Sequence, residues 1–252
     1  MCALQYCLRL LLGKEESQEL FGRLKKEKLS ITYATAAATI LGVKQCYEKG
    51  HETGALLGMT RNARRWVETD GGNSAPIPVA SDVVFLWIPF PPGLFQKPLA
   101  EQVRLLGHEV KTQLSPHLSS PHYISSMQFV CDTVLQNLNL EHQKEEALKK
   151  AGNQAYEADV APSAPGFSPQ GVYGLERSFE HNGAFIERLD FVHTGRQVCA
   201  SPWAALASMD GIIRLSIGCD TKYYRSEKID RFMHSIRENL RAFLHASGQT
   251  KL

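Results

Sequence analysis

Hydrophobic positions recur at helical spacing through the first fifty residues. Over 15–29, EESQELFGRLKKEKL, the apolar positions Leu20, Phe21, Leu24 and Leu29 predict a helix. Its acidic residues lead and its basic residues trail, which suits the helix macrodipole. In ITYATAAATILGVKQCYEKG, 31–50, apolar residues cover most of the circumference, so this alanine-rich helix belongs in a core. Ser30 or Thr32 can serve as its N-cap, and Gly50 stands in the usual stop position. The pattern then changes. GALLGMTRNARRWV, 54–67, predicts a strand ending in a basic, polar loop, and ETDGGNSAPIPVA after it is loop by composition. VVFLWIPF at 83–90, continuous in apolar residues and bounded by Asp82 and Pro91, predicts a buried strand.

Helical spacing returns at 98–114, with Leu99, Val103, Leu106, Val110 and Leu114 on one stripe and Pro98 in the first turn. A Ser/Pro/His-rich linkage leads to a helix at about 124–139 and a more polar helical stretch at 141–158. Segment 158–174, ADVAPSAPGFSPQGVYG, carries three prolines and three glycines and is expected to be a linker. Beyond it, AFIERLDFVH (184–193) approaches the alternation of a strand. WAALASMDGIIRLSIGCD predicts two strands joined by a hairpin at Asp210-Gly211. A closing helix starts with Ser226 as N-cap and buries Ile229, Phe232, Met233, Ile236, Leu240 and Phe243. The expected fold class is α/β (α+β), a mixed sheet flanked by helices.

The 43% hydrophobic content and 21% charged residues exclude disorder, and a net charge of +2 leaves no electrostatic footprint for nucleic acid. Cysteines 2, 7, 46, 131, 199 and 219 form no CxxC pair and no zinc-type spacing, as expected of thiols in a reducing compartment. The opening MCALQYCLRLLLGK has no basic n-region and no small-residue cleavage site, and its apolar run is too short to span a bilayer. It reads as a core-facing segment of a cytoplasmic protein.

No self-sufficient catalytic constellation stands out. GFSPQG at 166–171 is not the GxSxG of a nucleophile elbow, and neither GxGxxG nor GxxxxGK[ST] occurs. His117 and His122 have no carboxylate or thiol partner nearby in sequence, so no metal site is expected. Cys131, Cys199 or Cys219 with a histidine would make a thiol nucleophile, but no spacing supports it. Asp190 and Arg196 read as a structural pair. The most pointed polar cluster is Arg61, Arg64, Arg65 and Trp66. Its guanidinium forks suit a phosphate or carboxylate, and salt bridging at a strand end is the competing reading.

Three patches carry a family resemblance. KLSITYATAAATILGVKQ resembles the capped, alanine-rich helix that opens the second lobe of condensation-type, chloramphenicol acetyltransferase-like acyltransferases. GMTRNARRWVET followed by VASDVVFLWIPF is similar to that superfamily's strand-loop-strand. DGIIRLSIGCDTKYYRSEKIDRFMHSIRENLRAFL resembles its strand, polar turn and closing helix. Among members, the chain is similar to the fungal trichothecene O-acetyltransferase-like group, which esterifies secondary metabolites. The resemblance implies that residues 1–252 form a single domain equivalent to the C-terminal lobe of a two-lobed fold. It implies acyl-CoA as co-substrate, an alcohol as acceptor and no tightly bound cofactor, with Arg64 and Arg65 as candidates for holding CoA phosphate.

The family's catalytic histidine lies in an HxxxD motif of the first lobe and deprotonates the acceptor hydroxyl. Here none of the nine histidines is followed at the fourth position by aspartate; His51 meets Ala55, His108 Thr112, His181 Phe185 and His193 Gln197. DFVHTG at 190–195 shares only two residues with the plant-type DFGWG motif, so no duty passes to Asp190. No catalytic residue is therefore assigned. The expectations are an acyltransferase lobe without its base, or a non-catalytic lobe that binds or pairs with another subunit. A further alternative recruits His193 or His181 locally as a base. A lone lobe would also expose a face that favours association.

Overall fold

The computed structural model describes residues 5–46, 54–62, 83–119, 136, 139–140, 143, 146–147, 165–172, 178–187, 201–220 and 224–246. Its strands are β1 (Gln5–Leu11), β2 (Ala55–Asn62), β3 (Val83–Phe90), β4 (Gly166–Val172), β5 (Ser178–His181), β6 (Ala184–Glu187), β7 (Trp203–Met209) and β8 (Ile212–Asp220). The helices are α1 (Lys14–Lys26), α2 (Ile31–Cys46), α3 (Leu99–Ser119) and α4 (Ser226–His245). Scattered described residues between 136 and 147 are helical. The bounds predicted for the two helices there lie outside the described residues.

Six strands make one mixed sheet in the order β1-β8-β7-β4-β2-β3. Its centre, β7-β4-β2, is parallel; β3, β8 and β1 add antiparallel neighbours on either side. Alternation sorts the side chains by face. Leu57, Met59, Leu86, Ile88, Phe90, Phe167, Ala204, Leu206, Ile213, Leu215 and Ile217 share one core with the buried residues of the four helices. Helix α2 lies at the middle of that layer. Its residues Ala34–Val43 are all buried, because α3, α4 and the sheet surround it. Of the two residues expected as its cap, Ser30 and Thr32, it is Ser30 whose Oγ accepts the Tyr33 N–H, at 3.3 Å. Asn239 of α4, fully buried, donates to the Ala38 carbonyl and accepts from Gln45, so the helix pair buries its polar groups in partnership.

The β7-β8 hairpin forms where Asp210-Gly211 places it, both residues at positive φ (55° and 73°) as a two-residue turn of this hand requires. The buried face of α4 matches the expected one. Other expectations need correction. Arg225, not Ser226, occupies the N-cap of α4, and no side chain caps that end. Helix α3 continues beyond 114 to Ser119 and includes Pro116. The strand 83–90 is not buried on both faces. It is an edge strand in which Leu86, Ile88 and Phe90 are buried while Trp87 and Pro89 are exposed, and an edge is where a strand tolerates proline. Residues 184–187 form the second strand of an exposed hairpin turned by Asn182-Gly183, with Phe185 exposed; the rest of 184–193 lies outside the described residues.

The largest correction concerns 158–174. Residues Gly166–Val172 are not linker but an interior strand, paired in parallel with both β2 and β7. Gly166 is there because the Trp203 ring lies where a side chain would stand. The register with β7 shifts between Pro169 and Gly171, which accommodates the proline inside the sheet.

The amino end of α1 is tied to α4. Glu16 accepts the Gly13 N–H at 3.2 Å and the Arg241 Nε at 2.8 Å. The Arg241 guanidinium, and after it the Gly13 amide, hold the Glu16 carboxyl below its ordinary value against the opposing pull of burial. A lowered native pKa contributes stability above the ordinary glutamate range, and that contribution disappears as pH falls through the lowered value. Glu16→Gln is expected to cost under about 1 kcal/mol at neutral pH. Melting wild type and variant side by side from neutral pH down through the acid range should show a difference that is largest at neutral pH and shrinks as Glu16 takes up its proton.

Candidate functional site

The parallel strands β2, β4 and β7 all end at the same edge of the sheet, and open α/β sheets bind ligands beyond the carboxyl ends of such strands. Pairing of Gly58 with Gly166 and Met59 with Phe167 sets β2 against β4. Two residues on from the glycine pair, on the face opposite the helices, stand Thr60 and Ser168. Thr60 Oγ1 donates to Ser168 Oγ at 2.8 Å. Gln170 Nε2 donates to the same oxygen at 2.6 Å. Thr60 and Ser168 are each 8% exposed. A hydroxyl has two acceptor lone pairs and one proton. Both lone pairs of Ser168 are occupied here, so its remaining capacity is to donate.

That arrangement suits an electrophile-binding group rather than a nucleophile. Activating the serine oxygen for attack requires a base to accept its proton, yet both described partners donate to it. A hydroxyl whose oxygen accepts two bonds is instead polarised as a donor, able to meet a carbonyl oxygen as negative charge develops on it. The reading of 166–171 as no nucleophile elbow stands. Its reading as linker hid Ser168, Gln170 and their partner Thr60.

Arg64 and Arg65, the candidate anion-binding residues, and Trp66 lie outside the described residues, as do His122, His193, Asp190, Arg196, Cys131 and Cys199. Arg61 is on β2, next to its end. Cys219 is 1% exposed on the helical side of the sheet, within the apolar core. His108, pushed down by burial and then by Lys111 and Arg104, is on α3; Cys46, pushed up by burial, is on α2. Both helices pack on the opposite face from Ser168. Among the described residues, no group of three or more His, Cys, Asp or Glu could hold a metal ion, and no helix is long and apolar enough to cross a membrane.

No protein-family profile matches the chain. Solved structures share its arrangement. The TRI3 trichothecene 15-O-acetyltransferase from Fusarium sporotrichioides superposes with a TM-score of 0.70 at 14% identity, over 96% of this chain and 47% of that one. The condensation domain of the Monacolin K polyketide synthase MokA gives 0.56 at 11% identity, over 96% and 47%. These likenesses show the fold: a mixed sheet with flanking helices of the chloramphenicol acetyltransferase-like kind, shared with one lobe-sized part of each of those structures. The sequence relationship is narrower: over 246 residues the chain is 35% identical to the acyl-CoA-dependent acyltransferase MAC1 of Mycosarcoma maydis, and is homologous to it. That match covers 90% of this chain and 42% of the relative, so the chain spans less than half the relative's length.

Proposed function

We propose that the chain serves as the C-terminal lobe of an acyl-CoA-dependent O-acyltransferase, with residues 1–252 as one domain. The observation that carries this reading is the buried Ser168 hydroxyl, its two lone pairs filled by Thr60 and Gln170 and its proton without an acceptor among the described residues. In the reaction an alcohol oxygen attacks the thioester carbonyl while a base takes the alcohol proton. The carbonyl oxygen becomes negative and accepts the Ser168 hydroxyl proton as a hydrogen bond. The C–S bond then breaks, the ester forms, and the CoA thiolate takes up a proton. The base is the histidine of an HxxxD motif on a complementary lobe, in the same polypeptide or a partner, since that spacing occurs nowhere in these 252 residues. Arg64 and Arg65 hold CoA phosphate, as guanidinium forks do well. The acceptor is a small-molecule alcohol of cytoplasmic secondary metabolism.

A second reading, a non-catalytic lobe that binds ligand or partner, is favoured by the same missing HxxxD spacing. One assay separates the two. Thiol release from acyl-CoA with a polyhydroxylated acceptor is expected to stay at background with the 252-residue chain alone. It should rise when an HxxxD-bearing lobe from a homologue is joined to it. In that joined protein Arg64→Ala with Arg65→Ala should raise KM for acyl-CoA and leave kcat nearly unchanged. Background release in the joined protein would leave the binding reading standing and remove the transferase one. An unchanged KM would remove the two arginines from the CoA site.

A further inference from the structure

One row of residues crosses the sheet on the face opposite the helices: Gly218 on β8, Trp203 on β7, Gly166 on β4, Gly58 on β2 and Trp87 on β3, each paired with the next. The two central positions have no side chain, and the two indoles lie over them. A methyl group built on Gly166 overlaps the Trp203 ring, and one built on Gly58 comes within 3.0 Å of Trp87 Cζ3. The rings thus lean in from both sides over the two glycines, and together they floor the middle of the sheet on this face. Trp87 remains 49% exposed, an unusual state for a large apolar side chain pinned by its ring to the backbone of a neighbouring strand.

The next row on the same face holds the polar cluster. Ser168 is two residues beyond Gly166 and Thr60 two beyond Gly58, a displacement of about 6.6 Å along the strands. A carbonyl held by the Ser168 hydroxyl therefore has the indole floor beside it. An acetyl group is too short to cover that distance, whereas a longer alkyl chain reaches the rings and buries its methylenes on them.

We infer that Trp87 and Trp203 form a platform for an apolar acyl chain longer than acetyl, bound with its carbonyl at Ser168. This rests on the transferase reading for the identity of the carbonyl, and on the paired rows for the platform itself. Trp87 is the specificity-determining residue, since its ring is the exposed half of the floor. Gly58 sets how low that ring can lie.

The test uses two truncated thioesters that carry no nucleotide, S-octanoyl- and S-acetyl-N-acetylcysteamine, titrated calorimetrically into the 252-residue chain. The octanoyl thioester is expected to bind at least about tenfold more tightly, since each buried methylene adds to affinity. Trp87→Ala should bring the two within about twofold, and Trp87→Phe should restore most of the preference because an aromatic face returns. Thermal melts of both variants establish that the sheet is intact. Equal binding of the two thioesters, absent octanoyl binding, or a preference that survives Trp87→Ala would each overturn the platform. A Trp87-dependent preference without turnover in the joined protein would remove the transferase reading and leave the platform standing. Turnover in the joined protein with no chain-length preference would do the reverse.

Discussion

Ser168→Ala is expected to lower kcat by about 10²- to 10³-fold in a protein that joins this lobe to an HxxxD-bearing one, the loss seen when a donor to a developing oxyanion is removed. KM for acyl-CoA should change little, because the hydroxyl is aimed at charge that appears only as the alcohol attacks. The neighbours predict a graded series. Thr60 Oγ1 and Gln170 Nε2 both donate to the Ser168 oxygen and so fix where its proton points. Thr60→Val keeps the shape and removes one of those bonds, and it should cost less than Ser168→Ala while moving kcat in the same direction. A hydroxyl that serves only to tie β2 to β4 would behave differently: Ser168→Ala would then lower the melting temperature and leave kcat per folded molecule unchanged. Steady-state kinetics and a thermal melt on the same preparation decide between the two.

Legibility in the sequence followed how local the determinants were. Helix α4 repeats its apolar positions at helical spacing, and Asp210-Gly211 dictates a hairpin from two residues, so both follow from short windows. Strand β4 does not. Gly166, Pro169 and Gly171 each look like punctuation, yet Gly166 is required by a ring 37 positions away in the chain, and Pro169 stands beside an irregularity in the pairing with β7. These pressures come from the neighbouring strands and leave no periodic trace. The candidate site was hidden for the same reason. Thr60 and Ser168 are 108 residues apart, and only the parallel register of Gly58 with Gly166 brings them together. The exposure of Trp87 was equally illegible, since a continuous apolar run predicts burial on both faces and cannot announce that its strand lies at a sheet edge.

Gly166→Ala is expected to destabilise the protein by about 1–3 kcal/mol, the range for forcing an added carbon into a packed interior. In a protein of this size that is a drop in melting temperature of several degrees, at about 2–4 °C per kcal/mol. The cost arises because the added methyl meets the body of the Trp203 ring rather than a flexible tip, so relief needs either the indole or strand β4 to move. Strand β4 is held from both sides: the Gly166 N–H donates to the Pro202 carbonyl at 2.9 Å, and the Gly58 N–H donates to the Pro165 carbonyl at 3.0 Å. Moving the indole is therefore the easier path, and a second substitution reveals it. Trp203→Ala alone should be destabilising through lost packing. Added to Gly166→Ala, it should cost less than the two single effects combined, because the methyl then has room; a coupling of about 0.5–3 kcal/mol is the scale for residues in direct contact. Strict additivity in that cycle would mean that the ring does not constrain position 166. A coupled cycle would establish that the glycine is retained for the tryptophan, and that β4 owes its loop-like sequence to the ring it passes beneath.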